Sequence, residues 1–267
     1  MKGRVLIVAG SDSGGGAGIQ ADIKTVTALG GYAATAVTAL TAQDTRGVHG
    51  IVDVAPDFVA EQMNVVLDDI GADGIKTGML RTAGIISAVA TAIEQKTAGI
   101  PVVVDPVMTA KSGDSLLEVE ARQALRALLI LRATVLTPNI PEAEILTGMS
   151  IATSGDMVHA AAMLLTLGPK YVLLTGGHLM GPIVHDVLIW ENDIKEFSSP
   201  RIDTQHTHGT GCTLASGIVT GLAQGMDVVA AVARARAYVA EAIRTAPAFG
   251  AGHGPLNHGH TVAPFWE

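Results

Sequence analysis

Short runs of β-branched and aliphatic residues alternate with longer amphipathic patterns along the chain. Val5–Ala9 and Pro101–Asp105 are the clearest short runs, and their composition suits parallel strands that are buried on both faces. Pro56–Asp69 is typical of the longer patterns, because its apolar residues recur at helical spacing. Strands that alternate with helices in this way predict an α/β fold with a mostly parallel sheet. Since no linker or repeat divides the chain, we expect one domain over residues 1–267.

The same alternation predicts the remaining elements. Further strands are expected at Tyr32–Leu40, Ala72–Lys76, Thr134–Thr137 and Tyr171–Thr175, and a hairpin at Val184–Trp190 and Ile194–Ser198. Helices are expected to begin near Ala17 and to cover Ala83–Lys96, Ser115–Leu131, Pro141–Gly148, Met157–Leu167, Cys212–Gln224 and Val228–Arg244. The Gly- and His-rich segment Gly250–His260 is expected to be irregular.

Composition narrows the classes of function. Residues of type AVILMFWYC make up 48% of the chain, which excludes a disordered protein. The formal net charge of −8 and the lack of basic runs argue against a nucleic-acid binder. The uncharged stretch Thr204–Met226 contains two His and many Gly and Thr, so it is rejected as a membrane span. The single cysteine, Cys212, excludes an intramolecular disulfide, and with no signal-peptide pattern a cytoplasmic protein is expected.

Polar and glycine residues follow the predicted strands at the point where each strand ends. In chain order these are Asp12, Gln43 with Asp44, Thr77–Met79, Asp105, Asn139 with Glu142, and Gly176–His178. Ligands of open α/β sheets bind beyond the carboxyl ends of the strands. We therefore expect these residues to meet in one site.

The segment Gly10–Gly18 is rich in glycine and leads into a predicted helix. Glycines let the backbone approach a ligand closely, and the helix N-terminus favours an anion there. A plain strand–helix turn would have the same composition. Gly16, Gly18 and Ala21 also match a dinucleotide fingerprint, which keeps an NAD-type dehydrogenase as a rival. That match is weak, because Ser11–Ser13 separate it from the end of the strand.

A second glycine-rich segment, His208–Ala215, also leads directly into a predicted helix. Its backbone N–H groups would form an anion-binding nest at the helix N-terminus. Cys212 lies at this position, where the helix dipole is expected to lower the pKa of its thiol and make it a usable base. The alternative is that Cys212 is a small buried apolar residue.

A third segment, Thr137–Glu144, contains Asn139 and Glu142 just beyond a predicted strand. Asn139 can cap the following helix, and Glu142 in the first turn favours the helix dipole, so both have an ordinary structural interpretation. Their oxygen atoms, joined by Asp105 at the end of the neighbouring strand, could also hold Mg²⁺. The nine histidines do not form a zinc motif.

Taken in order, these motifs resemble the ribokinase-like superfamily and, more narrowly, the hydroxymethylpyrimidine/phosphomethylpyrimidine kinases of thiamine biosynthesis. The segments that carry the resemblance are Ala9–Lys24, Thr38–Thr45, Lys76–Met79, Val104–Met108, Leu136–Ala143, His208–Thr213 and Gly252–His258. Each segment is weak alone, but their ordered combination spans nearly the whole chain and is specific.

The resemblance implies a three-layer α/β/α ribokinase-like fold and a homodimer. It also implies ATP- and Mg²⁺-dependent phosphorylation of 4-amino-5-hydroxymethyl-2-methylpyrimidine, and then of its monophosphate to the diphosphate. Carried over by motif, Cys212 would be the base, and the anion hole would be formed by Gly209, Thr210 and Gly211. The pyrimidine would be contacted by Gly10, Asp12, Gln43, Met79 and Val107. ATP would be contacted by Asn139, Glu142, Thr175 and Arg236, and the metal would be bound by Asp105 and Glu142.

Two residues depart from the family pattern. Thr175 stands where many relatives have lysine, which removes a cation that could contact ATP, and Arg236 stands where lysine is usual. We expect the activity to survive both changes. A pyridoxal kinase of the same group is the closest alternative, and a non-catalytic sensor of pyrimidine or nucleotide is another.

Overall fold

A single sheet runs through the computed structural model, which describes residues 1–110 and 113–263. Its strands are β1 Arg4–Asp12, β2 Tyr32–Gln43, β3 Val48–Asp53, β4 Gly74–Thr77, β5 Val102–Val104, β6 Val135–Leu136, β7 Tyr171–Thr175, β8 Ile183–Trp190 and β9 Asp193–Pro200. They lie in the order β3-β2-β1-β4-β5-β6-β7-β8-β9. The six central strands, β2, β1, β4, β5, β6 and β7, are parallel to one another. Strands β3, β8 and β9 at the two edges pair antiparallel to their neighbours.

Helices cover both faces of the sheet. They are α1 Gly18–Ala28, α2 Pro56–Asp69, α3 Ala83–Lys96, α4 Val119–Ala124, α5 Ile140–Thr147, α6 Ser154–Leu165, α7 Thr210–Ala223 and α8 Val228–Arg244. Successive residues of β1 face opposite sides: Leu6 and Val8 pack with α2–α6, and Val5, Ile7 and Ala9 pack with α1, α7 and α8. This alternation, with both faces buried, confirms the predicted three-layer α/β/α architecture.

The chain changes direction across the sheet at β1. From β1 it proceeds outward to β2 and β3, and then it returns to place β4 on the other side of β1. The loops after β1 and β4 therefore diverge, which opens a crevice at the carboxyl ends of these strands. Asp12 and Met79 lie at this crevice, as the order of strands and polar residues predicted, and Gly10 lies beside them. Asp44, which was expected in the same site, is not among the described residues that line the crevice.

Strands β1 and β2 extend further than predicted and include Asp12 and Gln43, which were expected to follow them. Two elements differ more strongly from the sequence prediction. Strand β3 is missing from the prediction, because Val48–Asp53 contains His and Gly and only some of its side chains are shielded from solvent. The helix predicted over Ser115–Leu131 begins only at Val119 and continues after α4 as a π-turn and a 3-10 turn. The backbone N–H groups of Leu116 and Leu117 bond to the Met108 carbonyl instead, so a tertiary contact overrides local helical preference.

The C-terminal segment crosses back over the loops at the carboxyl edge of the sheet. The His208 N–H bonds to the Gly254 carbonyl at 3.1 Å, and the His253 N–H bonds to the Thr45 carbonyl at 2.7 Å. The segment ends in a short 3-10 helix, His258–Thr261, and is otherwise irregular over Gly250–Asn257, as predicted. It thus connects the turn after β2 with the loop before α7.

His258 makes this segment sensitive to acid. Its Nδ1 lies 3.1 Å from the Tyr238 hydroxyl and 3.4 Å from the Thr25 hydroxyl, and the ring is buried. Burial, together with the nearby charges of Lys24 and His260, lowers the pKa of His258 to about 4. Because the unfolded chain binds this proton more readily, the contribution of His258 to stability is present above pH 6.5 and is lost between about pH 6.5 and 4.

We expect His258→Gln to flatten the pH dependence of the free energy of unfolding over this window, by up to about 3 kcal/mol. Urea unfolding at pH 7.0 and pH 4.5 measures the difference. His49→Gln is the matched control, because His49 is exposed. An unchanged pH dependence in His258→Gln would show that other groups cause the acid sensitivity.

Candidate active site

A cavity of about 740 Å³ lies at the carboxyl edge of the sheet. Every residue to which the resemblance assigns a role, from Gly10 at one end of the chain to Arg236 at the other, lies in its wall. The loops after all the central strands contribute to it, as does the first turn of α7. The structure therefore brings these residues together, and their individual roles stay predictions.

The turn before α7 requires glycine. Gly209 has φ +88°, and a Cβ built on it would lie 1.9 Å from the Gly16 carbonyl oxygen. This close approach joins the turn to the glycine-rich loop after β1. The N–H groups of Gly211 and Cys212, in the first turn of α7, have no intrahelical acceptor, because helices leave their first N–H groups unpaired. This turn can bind an anion through backbone N–H groups and the helix dipole.

Cys212 lies in the cavity wall and is partly exposed. The N–H of Gly18, the first residue of α1, donates to its sulfur, so two helix N-termini converge on the thiol. Burial nevertheless raises the pKa of Cys212 to about 12, and the negative charges of Asp22 and Asp105 add to this rise, while Lys76 opposes it. The expectation of a lowered pKa at this helix N-terminus is therefore wrong, because burial raises the pKa of the thiol.

A fully buried ion pair lies next to Cys212, with Lys76 in the cavity wall and Asp22 behind it. Lys76 Nζ donates to both carboxylate oxygens of Asp22, at 2.9 and 3.0 Å, and the Ser216 hydroxyl donates to Asp22 at 2.7 Å. Burial alone would lower the pKa of Lys76, but the charges of Asp22, Cys212 and Asp105 raise it, so the side chain stays protonated. Sequence reasoning assigned no role to these residues, although a lysine inside a buried strand pattern was a visible signal.

The end of the cavity beneath β1 and β2 is built around Asp12. Its carboxylate accepts from the N–H groups of Gly14, Gly16 and Ala17 and lies 2.9 Å from His208 Nε2. Burial on its own would raise the pKa of Asp12, but these hydrogen bonds outweigh it and lower the pKa. Asp12 therefore shapes the loop, and little of its carboxylate is left for a ligand.

Gln43, Met79 and Val107 complete this end. The Gln43 amide accepts from the Thr41 hydroxyl at 3.1 Å, and its Nε2 lies 3.4 Å from His208 Nε2. The Met79 side chain occupies the space above Gly10, where a Cβ would lie 2.3 Å from the Met79 methyl group. The result is a small pocket with one amide and two apolar side chains in its wall.

Asn139 and Glu142 form the capping box of α5. The Asn139 side chain accepts from the Glu142 N–H, and the Glu142 carboxylate accepts from the Asn139 N–H, both at 2.9 Å. The structural interpretation of both residues is thus confirmed, and both also face the cavity.

Asp105 and Glu142 are two buried carboxyl groups on the same wall. Burial raises the pKa of both, and the charge of Asp105 further raises that of Glu142. A cation would relieve this repulsion, and Mg²⁺ uses one or two carboxylates together with substrate phosphates. The pair therefore fits Mg²⁺ with phosphate. Over residues 1–110 and 113–263, no group of three or more His, Cys, Asp or Glu side chains could hold a metal by itself.

Arg236 lies at the other end of the cavity, beside β8 and β9. Its Nε donates to Asp186 at 2.7 Å, and its guanidinium lies 5.2 Å above the centre of the Phe197 ring. Asp186 also accepts from the Gly176 N–H at 2.8 Å. The Thr175 hydroxyl contacts the Pro138 carbonyl at 3.4 Å. The charge of Arg236 is therefore partly neutralised before any ligand binds.

The order of strands separates the two ends of the cavity. Four strand spacings lie between β1 and β7, which is about 19 Å. Helix α7 packs over β1, β4 and β5, so its first turn and Cys212 lie between the ends. The cavity can thus hold a small polar ring at one end and an extended anionic molecule at the other, with a thiol and backbone N–H groups where they meet.

Comparisons with known proteins agree with this geometry. A family model described as phosphomethylpyrimidine kinase matches residues 12–257. The chain is 52% identical to the thiamine biosynthesis bifunctional protein ThiED of Geobacter sulfurreducens, covering 96% of this chain and 52% of that one. It thus spans about half of the bifunctional relative. It is 47% identical to the hydroxymethylpyrimidine/phosphomethylpyrimidine kinase of Streptomyces coelicolor, covering 96% of this chain and 94% of the relative.

A solved structure shares the fold. The ADP complex of Bacillus subtilis pyridoxal kinase superposes with a TM-score of 0.90 at 38% identity, covering 97% of this chain and 98% of that chain. None of the helices over the described ranges is both long and apolar enough to cross a lipid bilayer.

Proposed function

Since the chain belongs to the phosphomethylpyrimidine kinase family, we propose that it transfers the terminal phosphoryl group of ATP to 4-amino-5-hydroxymethyl-2-methylpyrimidine. It is a phosphotransferase. We propose that it also phosphorylates the monophosphate to the diphosphate, in thiamine biosynthesis. The observation that carries this proposal is the position of Cys212 beside the first N–H groups of α7, between the two ends of one cavity.

The anion hole would act on the phosphoryl group as it moves. Phosphoryl transfer passes through a loose transition state, so positioning and charge stabilisation contribute more than a strong base. The N–H groups of Gly211 and Cys212 point from the start of α7 and would bind the oxygens of the transferring group. Backbone dipoles thus supply positive potential in a protein with a net charge of −8.

Cys212 would accept the proton of the substrate hydroxyl. The resting thiol first loses its proton to water, which is unfavourable because its pKa is raised. As the O–P bond forms and the bond from phosphorus to ADP breaks, the hydroxyl proton passes to the Cys212 sulfur and restores the resting thiol. Asp105 and Glu142 would hold Mg²⁺, which supplies positive charge to the phosphates and offsets the two carboxylates that face it.

The end of the cavity at β1 and β2 would bind the pyrimidine. The Gln43 amide can donate and accept at once, as the edge of an aminopyrimidine requires. Met79, whose side chain packs against Gly10, and Val107 would contact the ring. The end at β7–β9 would bind ATP, because Arg236 lies there.

Mass spectrometry of the pyrimidine after incubation with ATP, Mg²⁺ and the purified protein tests the proposal. We expect masses of the monophosphate and then the diphosphate, and neither product without ATP. A pyrimidine of unchanged mass would contradict the proposed function.

Pyridoxal kinase is a second candidate, which the similarity to the Bacillus subtilis enzyme favours. We expect kcat/KM for the pyrimidine to exceed that for pyridoxal. The reverse ratio would make pyridoxal the substrate, with the same roles for Cys212 and the anion hole.

A further inference from the structure

The loop between β7 and β8, residues 176–182, is tied to one side chain. Arg201 Nε donates to the Gly181 carbonyl at 2.7 Å, Nη1 donates to the Gly177 carbonyl at 2.9 Å, and Nη2 donates to the Leu179 carbonyl. Three alternate carbonyl groups of one loop therefore converge on one planar guanidinium. Only arginine offers this fork of donors, because the lysine ammonium is a point charge on a flexible stem.

The same loop is fixed at both of its ends. The Arg201 N–H donates to the Pro182 carbonyl at 2.8 Å, so backbone and side chain of one residue hold the end of the loop. At its start, the Gly176 N–H donates to Asp186, which also holds Arg236. Asp186 and Arg201 lie on or directly after the β8–β9 hairpin, which was predicted from sequence without any role in the site.

Arg201 lies in the cavity wall, and it differs from Lys76 and Arg236 there in its hydrogen-bond acceptors, which are carbonyl groups instead of a carboxylate. Lys76, Arg201 and Arg236 are the lysine and arginine residues in the described part of the cavity wall. Lys76 pairs with Asp22 and Arg236 with Asp186, whereas Arg201 forms no ion pair with a described carboxylate. Its donors are directed at the loop, and its charge adds positive potential at the end of the cavity proposed for ATP.

We propose that Arg201 is a positioning residue for the nucleotide, because it holds loop 176–182 in one shape before ATP binds. A preformed loop removes the entropic cost of ordering it on binding. This inference rests on the proposed function, since it concerns the ATP end of the same cavity. The guanidinium fork is the essential feature, and positive charge alone does not replace it.

The test compares Arg201→Lys with Arg201→Met. We expect both variants to raise KM for ATP at least ten-fold, with KM for the pyrimidine and kcat within about three-fold of the unsubstituted protein. Calorimetric titration with ADP in the absence of pyrimidine is expected to show the same loss of affinity. Wild-type affinity for ATP and ADP in Arg201→Lys would overturn the proposal, because the charge would then be sufficient.

Hydrogen exchange separates positioning from a general structural role. We expect faster exchange within residues 176–182 in both variants, and unchanged exchange in the strands. The matched control is Arg132→Met, because Arg132 also donates to a carbonyl, that of Leu128, and pairs with Glu94 away from the cavity. An Arg201→Met variant that loses affinity for ATP and pyrimidine equally, with faster exchange throughout the sheet, would show that Arg201 supports only the fold.

The nucleotide titration also keeps this inference distinct from the proposed function. If the pyrimidine is not phosphorylated but ADP affinity still depends on Arg201, the inference about Arg201 holds, and the pyrimidine is not the acceptor of the phosphoryl group. If the pyrimidine is phosphorylated and ADP affinity does not depend on Arg201, the inference alone fails.

Discussion

Replacing Cys212 by alanine is expected to lower kcat by about 10²- to 10⁴-fold, the range that a general base contributes. The side chain lies in the cavity wall between the two ends, and alanine leaves no group there that can accept the hydroxyl proton. Pyrimidine affinity is expected to change little, because the proposed contacts lie at Gln43 and Met79. Steady-state kinetics gives kcat, and calorimetric titration with the pyrimidine gives the affinity.

Alkylation supplies an independent measurement of the same site. Cys212 is the single cysteine of the chain, so iodoacetamide reports on this thiol alone. Because burial raises the pKa of Cys212 to about 12, we expect both alkylation and kcat to rise with pH throughout pH 6–9 without a plateau. A plateau near pH 7 would mean that the thiol is already ionised, and unchanged kcat in Cys212→Ala would refute its role as the base.

Replacing Lys76 by methionine is expected to lower the free energy of unfolding by about 3–5 kcal/mol, the usual cost of breaking a buried ion pair. The carboxylate of Asp22 would remain fully buried, with the Ser216 hydroxyl as its hydrogen-bond donor. In Lys76→Met/Asp22→Leu both charges are gone, and we expect most of the lost stability to return. Urea unfolding measures both variants, and Lys96→Met, at an exposed pair with Asp68, is the control.

The double variant separates stability from catalysis. Lys76 is the basic side chain that opposes the raised pKa of Cys212 and of Asp105. Asp22 has the opposite and smaller influence on both groups, so its loss offsets part of the effect. We therefore expect the double variant to have a lower kcat than the unsubstituted protein. A double variant with both wild-type stability and wild-type kcat would show that the ion pair serves neither the thiol nor the carboxylate.

The architecture could be predicted from sequence because its signals are local. The boundaries of α2 and α3 agree with Pro56–Asp69 and Ala83–Lys96, since each pattern has a clear apolar face and a defined start. The meeting of the site residues could also be predicted, because the ends of parallel strands share one edge of a sheet. The prediction of a helix over Ser115–Leu131 was wrong at its start, because the N–H groups of Leu116 and Leu117 bond to the Met108 carbonyl, which is a tertiary contact.

The electrostatics of the site could not be predicted in the same way. Cys212 sits at a helix N-terminus, which argues for a lowered pKa, yet its desolvation depends on packing by remote segments. Lys76 and Asp22 are 54 residues apart, and the three carbonyl groups that the Arg201 guanidinium binds are 20 to 24 residues away from it. Such interactions follow from the assembled fold, and no local pattern encodes them.

The C-terminal segment has a consequence for the order of events during synthesis. The sheet is complete at Pro200, whereas the contacts of His208 and Thr45 with Gly254 and His253 need residues made more than fifty positions later. A nascent chain still held in the ribosome can form the sheet but lacks these closing contacts. The end of the cavity at β1 and β2 therefore reaches its final shape only after residues 253 and 254 have left the exit tunnel, so that ligand binding there follows folding of the sheet.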